Sequence, residues 1–302
     1  MDIANYWGEL AALSTASCWT LASLIFTLAG RRIGSFNLNK LRMPIAIVLL
    51  SSALLITGQF DATGQLHRSG YAWLALSGVI GLVLGDSAYF RCLVLLGPRR
   101  ATLLMSAAPV MAALIAWPFL GEALPWIAWL GIFMTVGGIV WVTAEREYHA
   151  NNVPKRASLG GILLGLGGAA GQAVGIVIAK HVLVESDIAP LYATFVRMAA
   201  ATTAIWLYAI LRGQVRSTIT VMRDRKSSLI VAAGAILGPF IGVWLSLVAV
   251  KHIEAGVAAT IMATMPILIL PLVVLVFREK VSARAIFGAI IAVGGIALLF
   301  LR

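Results

Sequence analysis

Residues 101–122 read ATLLMSAAPVMAALIAWPFLGE, and residues 258–279 read AATIMATMPILILPLVVLVFRE. Both stretches are apolar, carry a proline near the centre and end on a glutamate. A constant shift of 157 residues aligns them without a gap, so that Pro109 meets Pro266. Agreement at so many ungapped positions indicates an internal duplication.

The duplication extends along both halves of the chain. The same shift places TVGGIVWV (135–142) on AVGGIALL (292–299), and a shift of 155 residues places Arg42 on Arg197. Both pairs of segments lie in order relative to the proline stretches. The sequence therefore predicts two copies of one unit.

The composition indicates a protein whose main solvent is lipid. Of the 302 residues, 61% are hydrophobic and 12% are charged, and the mean hydropathy is +0.96. A soluble domain carries about 25% charged residues. The net charge is +11, but the basic residues lie in short runs between apolar segments. This arrangement favours membrane orientation over a nucleic-acid surface, so the bilayer is an expected partner and nucleic acid is not.

Ten apolar segments approach the length of about 20 residues that a transmembrane helix needs. They lie at roughly 9–30, 42–60, 71–93, 101–120, 126–144, 159–181, 191–211, 229–250, 257–277 and 285–301. The predicted fold is an all-α integral membrane protein with one five-helix unit in residues 1–150 and another in 151–302. Because five is odd, the second unit must be inverted in the membrane, which is a transporter architecture.

The distribution of lysine and arginine predicts the orientation. Most of these residues lie in loops that follow odd-numbered spans, which places those loops in the cytoplasm. Both termini are then expected on the periplasmic side. The start of the chain, MDIANYWGEL, lacks the basic region of a cleavable signal peptide, so the first span is expected to be retained.

Several features that occur twice resemble the EamA family of the drug/metabolite transporter superfamily. They are an arginine at the start of the second span, a proline within the fourth, a glutamate just after it (LGEAL and FREKV), and VGGI in the fifth. The resemblance covers essentially the whole chain. It implies a ten-span exporter of the bacterial inner membrane that moves metabolites, amino acids among them. Two alternatives stay open: a permease for nucleotide sugars or sugar phosphates, and a non-transporting scaffold or lipid-handling protein.

Asp86 is the leading candidate for a proton-coupling residue. It lies within the third predicted span, and Tyr89 shares its helix face. Ionisable groups inside a membrane are costly and are functional candidates for that reason. The alternative is a structural carboxylate whose charge is satisfied by serine, backbone or a basic side chain. The repeat mate of Asp86 is Val243, so a functional role would break the symmetry.

A set of mid-span residues is predicted to line a central substrate cavity, with ordinary core packing as the alternative. It consists of Ser17, Trp19, Asp86, Tyr89, Phe90, Met105, Pro109, Gln172, Trp244, Met262 and Pro266. The tryptophans and methionines suit apolar or aromatic substrates. Ser17 and Gln172 are repeat mates that offer hydrogen bonds. The two prolines are expected to bend their helices, either as hinges or as static kinks.

Four charged residues are candidate gates or structural ties: Arg42, Glu122, Arg197 and Glu279. Arg42 is expected at the cytoplasmic edge, and Arg197 at the outer mouth with Asp187, Glu185 or carbonyl groups. Glycines four residues apart, among them Gly167, Gly171 and Gly175, predict close approach of helix backbones.

Enzymatic chemistry and bound cofactors are not expected. The four histidines lie at loops or span ends, so no metal site is predicted. The sequence has no glycine-rich phosphate loop, and ATP-driven transport would need another subunit. The expected ligands are a small-molecule substrate and, as a candidate, protons; the oligomeric state stays open.

Overall fold

The helices of this protein account for nearly all of the residues that a computed structural model describes. These are residues 6–59, 66–120, 125–143, 147–148, 154–155, 158–186, 188–253, 258, 261–278 and 281–300. Two antiparallel strands of two residues each, β1 (Glu147–Tyr148) and β2 (Pro154–Lys155), lie between the halves. The all-helical prediction is thus confirmed for the described part of the chain, apart from this short pair.

The helices follow each other in a similar order in both halves, except that the second half has an additional short helix, Val215–Met222. In the first half they are α1 (Trp7–Ile33), α2 (Ser35–Thr57), α3 (Arg68–Gly78), the π-helix π1 (Val79–Gly85), α4 (Asp86–Met105), α5 (Ala107–Leu120) and α6 (Trp126–Thr143). In the second half they are α7 (Leu159–Glu185), α8 (Pro190–Leu211), α9 (Val215–Met222), α10 (Arg225–Ala235), the π-helix π2 (Ile236–Gly242), α11 (Val243–His252), α12 (Met265–Phe277) and α13 (Ala283–Phe300).

The apolar helices make this a multi-pass membrane protein. Six helical segments are long and apolar enough to cross a bilayer: Trp7–Ile33, Ser35–Thr57, Arg68–Met105, Leu159–Glu185, Pro190–Leu211 and Arg225–Ala249. Three shorter helices are also apolar: Trp126–Val142, Met265–Phe277 and Ala283–Leu298. The number of ten spans and their inversion stay predictions.

A break inside α4 separates the third predicted span from the fourth. Gly97 has φ of 79°, a left-handed conformation that glycine adopts without a steric penalty, and Pro98 follows it. The next two residues, Arg99 and Arg100, are both buried. The break therefore lies in the segment that was predicted to connect these two spans.

The repeat-related prolines lie just after breaks in their spans. The fourth span is interrupted at Ser106, and Pro109 is the third residue of α5. The ninth is interrupted by a turn at Ala263 and Thr264, and Pro266 is the second residue of α12. In the first turn of a helix the N–H that proline lacks would have no intrahelical partner anyway. The helices are thus interrupted next to both prolines, whereas the bends themselves and the choice between hinge and static kink stay predictions.

The two π-helical segments were not predicted, and they occupy equivalent positions. Val79–Gly85 and Ile236–Gly242 coincide under the shift of 157 residues. π-Helical turns are rare and are frequently found at functional sites. The duplication thus preserves an irregular backbone feature as well as sequence.

Packing between the halves is reciprocal. Helix α1 packs on α10, π2 and α11, while α7 packs on the corresponding elements α3, π1 and α4. The second helices of the two units, α2 and α8, pack on each other, and so do the fifth helices, α6 and α13. The two units thus contact each other through equivalent helices.

The contact between α6 and α13 is antiparallel and joins repeat mates. A Cβ on Gly138 would lie 2.7 Å from Gly288 O, and one on Gly295 would lie 2.6 Å from Gly131 O. At the centre of the crossing, Thr135 Oγ1 donates to the carbonyl oxygen of its mate Ala292 at 3.2 Å. Small residues permit this close approach.

Glycines also bring α7 against the third span of the first half. A Cβ on Gly171 would lie 2.7 Å from Gly85 Cα, and one on Gly175 would lie 3.1 Å from Gly81 Cα. Gly167 was predicted to belong to this stripe, but a Cβ there meets nothing within 4 Å. Its neighbour Gly168 takes its place, because the helix phase turns that residue toward α4.

Basic residues define one end of the bundle. Arg31 and Arg32 end α1 there, and Arg32 Nη2 donates to Asp224 Oδ2 at 2.6 Å. Lys40, near the start of α2, donates to Gln214 Oε1 at 3.3 Å. We refer to this end as the basic end, and to the end where α1 begins and α7 ends as the opposite end.

Candidate functional site

Asp86 lies at the centre of a buried polar network. It is the first residue of α4, directly after π1, and is 5% exposed. Its Oδ2 accepts a hydrogen bond and ion pair from Arg42 Nη2. Its Oδ1 accepts a 2.8 Å hydrogen bond from Gln172 Nε2 of α7. The carboxylate therefore joins two helices of the first half to one of the second.

Arg42 lies inside the bundle rather than at its edge. Helix α2 begins at Ser35, so Arg42 is about two turns into the helix and is only 3% exposed. Its Nε donates to Asn39 Oδ1 at 2.9 Å. Its guanidinium carbon lies 4.7 Å from the centre of the Phe90 ring and 5.7 Å from that of Phe26. These cation–π contacts and the Asp86 pair replace the water that the guanidinium loses.

Asn39 connects Arg42 to the π-helical backbone. It is fully buried, and its Nδ2 donates to Leu82 O at 3.1 Å and to Ser87 Oγ at 2.8 Å. A π-helical turn disturbs the regular ladder, and a carbonyl group left without its regular donor needs another one in a membrane interior. Asn39 supplies that donor and at the same time orients Arg42.

Arg197, the repeat mate of Arg42, is buried and forms no ion pair within 4 Å with an acid among the described residues. It is 2% exposed, and its Nε has no hydrogen-bond partner among the described residues. Asp86 is the acid with which it interacts electrostatically. Of the partners expected at the outer mouth, Glu185 lies 3.5 Å from His181 on the surface, and Asp187 is outside the described residues. The predicted placement of Arg197 is corrected accordingly.

The network holds an uncompensated positive charge. Arg42 and Arg197 contribute two positive charges and Asp86 one negative charge, and all three side chains are buried. Burying a charge without a partner costs several kcal/mol. Intramembrane ionisable residues of this kind mark functional sites by default.

Aromatic and hydroxyl side chains surround the network on the α1 side. Phe26 and Phe90 have ring centres 4.9 Å apart, and Tyr89 packs beside Phe90. Ser23 lies near the buried Tyr89 hydroxyl and donates its own hydroxyl to Thr20 O at 2.7 Å. Sequence reasoning missed Ser23, together with the buried residues Thr20 and Thr27. Their spacing of three and four residues on an apolar helix is the signal that could have found them.

Ser17 and two of the aromatic residues do not join this network. Ser17 is exposed and donates to Leu13 O of its own helix at 3.0 Å, on the face that carries exposed leucines. Trp19 lies over Gly242, where an added Cβ would be 2.5 Å from its Nε1. Trp244 packs on Phe240 with ring centres 6.3 Å apart. The helix phase directs these side chains to other neighbours.

The two methionines lie in different clusters. Met105 packs against the group that contains Tyr89 and Phe90. Met262 packs against Ala11 and neighbouring alanines near the opposite end. Met105 and Met262 thus belong to separate hydrophobic clusters, and a cavity that they share with Trp19 and Trp244 stays a prediction.

Glu122 and Glu279 lie outside the described residues. Within the described ranges, no group of three or more histidine, cysteine, aspartate or glutamate side chains could hold a metal ion.

Polar contacts join the two halves toward each end of the bundle. At the basic end, Asp224 Oδ2 accepts from Arg32 Nε at 3.0 Å and from Ser227 Oγ at 2.5 Å. Nearer the opposite end, the hydroxyl oxygens of Tyr71 in α3 and Tyr192 in α8 are 2.9 Å apart. The central network thus lies between two inter-half contacts.

The contact at the basic end should not respond to physiological changes of pH. Hydrogen bonds from Ser227 and Arg32 lower the pKa of Asp224 to about 2. A carboxyl group with a lowered pKa contributes stability that is fully present above its unfolded pKa of about 3.9 and is lost as the pH falls through its folded pKa. The difference in melting temperature between wild type and Asp224→Asn should therefore stay constant from about pH 8 to about pH 5. A difference that changes within this range would contradict the assignment.

Comparison with known proteins gives one family. A sequence profile described as the EamA-like transporter family matches residues 6–144 and again residues 159–301. The chain is also similar to a Sinorhizobium protein described as an uncharacterized transporter in the cobO 3'region. The two are 30% identical over 139 residues, which are 45% of this chain and 94% of the relative.

A second relative and one solved structure extend the comparison. The uncharacterized inner membrane transporter YedA of Escherichia coli K12 is 27% identical over 142 residues, which are 47% of this chain and 46% of YedA. The matched region thus spans about half of YedA. A solved crystal structure of a protein has a TM-score of 0.70 to this chain at 20% identity, covering 96% of this chain and 94% of that one. This last likeness concerns the fold alone.

Proposed function

Since this chain belongs to the EamA-like transporter family, we propose that it is a secondary transporter that exports small metabolites across the bacterial inner membrane. Amino acids are the first substrate class to test, because the resemblance includes amino-acid exporters. Substrates cross by alternating access, in which one five-helix unit moves against the other around a central site. The process involves no covalent step.

The observation that carries this proposal is the buried network around Asp86. Arg42 and Asp86 come from the first unit, and Gln172 and Arg197 come from the second. Substrate sites in transporters with inverted repeats lie near the bilayer midplane, at the interface of the repeats. A polar network that both units build, between the inter-half contacts at the two ends of the bundle, fits this position.

Reciprocal packing supports the inversion of the two units. The antiparallel crossing of α6 and α13 joins repeat mates, and α1 and α7 occupy corresponding positions against the opposite unit. Two similar units of this kind can exchange conformations by rocking, which opens the site first to one side and then to the other. The excess of basic residues favours a cytoplasmic position for the basic end and a periplasmic position for both termini.

A test of transport uses the purified full-length protein in liposomes. We expect counterflow of radiolabelled amino acids when unlabelled amino acids are loaded inside, and no counterflow in protein-free liposomes. Absence of exchange for every amino acid and related metabolite tested would contradict the proposal. Repeating the measurement with and without a pH gradient separates passive exchange from proton coupling.

Asp86 is the proposed proton carrier if the flux responds to the pH gradient. The substitution Asp86→Asn keeps the shape of the side chain and removes the titratable group. We expect it to abolish the response to the gradient. A pH-dependent flux that is unchanged in Asp86→Asn would show that another group carries the proton.

The alternatives fit the site less well. A non-transporting scaffold has no use for an uncompensated buried charge, which only lowers its stability. A permease for sugar phosphates or nucleotide sugars binds groups with about two negative charges. The described network has only one excess positive charge, on Arg42 and Arg197 taken together with Asp86.

A further inference from the structure

The charge on Arg197 is the feature of the network that the contacts within the chain do not explain. Both oxygens of Asp86 are occupied, one by Arg42 and the other by Gln172. Arg197 makes no ion pair within 4 Å with any acid of the described chain, and its Nε is buried without a hydrogen-bond partner. Within the described residues, the guanidinium group of Arg197 therefore has no carboxylate in direct contact.

The duplication explains why the partner is missing. Arg42 and Arg197 are repeat mates, but the position that matches Asp86 in the second unit is Val243. The first unit therefore provides its arginine with a carboxylate, and the second unit has none to provide. A ligand with a carboxylate group would supply the negative charge that the second unit lacks beside Arg197.

The backbone leaves a small space directly beside Arg197. Gly81 of π1 has no side chain, and a Cβ there would lie 3.6 Å from Arg197 Nη2 and 3.7 Å from Gln172 Oε1. The carbonyl oxygen of Gly171 would also lie 3.7 Å from it. These are ordinary van der Waals distances, so a methyl group would fill this space without forcing its neighbours apart.

The three polar atoms around this space indicate the chemistry of the ligand. A guanidinium group binds carboxylates through two parallel N–H···O bonds, and the excess charge of the network calls for one negative charge. The amide and carbonyl oxygens accept hydrogen bonds from a donor on the same ligand. The space lies on the inter-unit surface, where α7 and α8 of the second unit meet π1 of the first.

We propose that Arg197 binds the carboxylate group of the transported substrate beside Gly81, and that the substrates are small molecules with a single carboxylate. The inference rests on the proposed transport function, since this buried site opens to a ligand only when the two units move apart. The substrate carboxylate then forms an ion pair with Arg197, as Asp86 does with Arg42. Amino acids qualify through their carboxylate and can also donate to the two oxygens, and simple monocarboxylates qualify through the carboxylate alone.

The test compares ligands that differ only in the carboxylate. Thermal unfolding of the purified protein is followed with leucine, with isocaproate, which lacks the amino group, and with isopentylamine, which lacks the carboxylate. Phenylalanine, hydrocinnamate and phenethylamine form a second set, and inorganic phosphate is a separate probe. We expect carboxylates to raise the melting temperature and the amines and phosphate to leave it unchanged.

Two substitutions examine the site itself. Arg197→Gln should weaken carboxylate binding by about 10-fold to 100-fold, and Arg197→Lys should retain part of it. Gly81→Ala keeps every charge but fills the space, and should weaken binding by about 10-fold or more even if Arg197→Gln does not fold. Gly167→Ala is the matched control, because a Cβ there meets nothing within 4 Å.

Each outcome decides the inference. Equal stabilisation by amines, unchanged binding in Gly81→Ala, or no stabilisation by any carboxylate at about 10 mM would overturn it. Counterflow separates this inference from the proposed function. If amines exchange as fast as carboxylates, the protein is a transporter and the carboxylate site is wrong. If carboxylates bind through Arg197 but nothing exchanges, the site stands and the transport proposal falls.

Discussion

Arg42→Met is expected to destabilise the protein by about 3–5 kcal/mol and to reduce counterflow by about 100-fold or more. The substitution leaves the Asp86 carboxylate buried with only Gln172 as a hydrogen-bond donor. It also removes the side chain that Asn39 orients toward Asp86. Unfolding in detergent and counterflow in liposomes measure the two effects. Wild-type stability of this variant would contradict the presence of a buried ion pair between Arg42 and Asp86.

The double variant Arg42→Met, Asp86→Leu separates stability from transport. Replacing a whole buried ion pair with apolar residues of similar size is often neutral or stabilising. We therefore expect the double variant to recover most of the stability, less about 1 kcal/mol for the hydrogen bond that Gln172 loses. Transport should stay lost, because the charged side chains of Arg42 and Asp86 are then absent from the site of Arg197 and the substrate. A double variant that transports normally would show that the pair serves packing alone.

Gly171→Ala is expected to destabilise the protein by about 1–3 kcal/mol. Its Cβ would lie 2.7 Å from Gly85 Cα, and a helix backbone cannot move aside as a side chain can. Helix α7 would have to shift away from π1, which also lengthens the hydrogen bond between Gln172 and Asp86. Thermal unfolding and counterflow should both report this change.

Gly167→Ala, one turn earlier on the same helix, is the control for this prediction. A Cβ there meets nothing within 4 Å, and alanine is favoured over glycine in a helix by about 0.5–1 kcal/mol. This variant should be as stable as wild type or slightly more stable. Equal effects of the two substitutions would contradict the glycine contact between α7 and π1.

Much of the architecture could be predicted because apolar length and repeated motifs are properties of the sequence alone. The shift that aligns Pro109 with Pro266 also relates the two π-helical segments. The central position of Asp86 followed from the cost of a carboxylate in an apolar segment. The family prediction, confirmed by the profile match, used the same repeated features.

The placement of the arginines could not be predicted in this way. A hydropathy profile ends a span where charge begins, so the second span was predicted to start at Arg42. The helix instead starts at Ser35 and carries Arg42 into the interior, where Asp86 compensates its charge. The partner of an arginine depends on tertiary packing and cannot be identified from the neighbouring residues in the sequence.

The direction in which each helix turns its side chains also could not be predicted from the sequence. Ser17 and Gln172 are repeat mates, yet only Gln172 reaches Asp86, while Ser17 faces outward. Gly168 rather than Gly167 faces α4. An offset of one residue turns a side chain by about 100°, and an almost uniformly apolar helix gives little signal to fix that angle.

The inverted arrangement of the two five-helix units is tested most directly by the sidedness of the equivalent ends of α1 and α7. Arg31 lies in the last turn of α1 and Glu185 is the last residue of α7, and both are exposed. Single cysteines are introduced at each position in a chain that carries Cys18→Ala and Cys92→Ala, and are labelled with a membrane-impermeant maleimide. We predict that Arg31→Cys reacts only from the cytoplasmic side and Glu185→Cys only from the periplasmic side. Labelling of both cysteines from the same side would contradict the inversion.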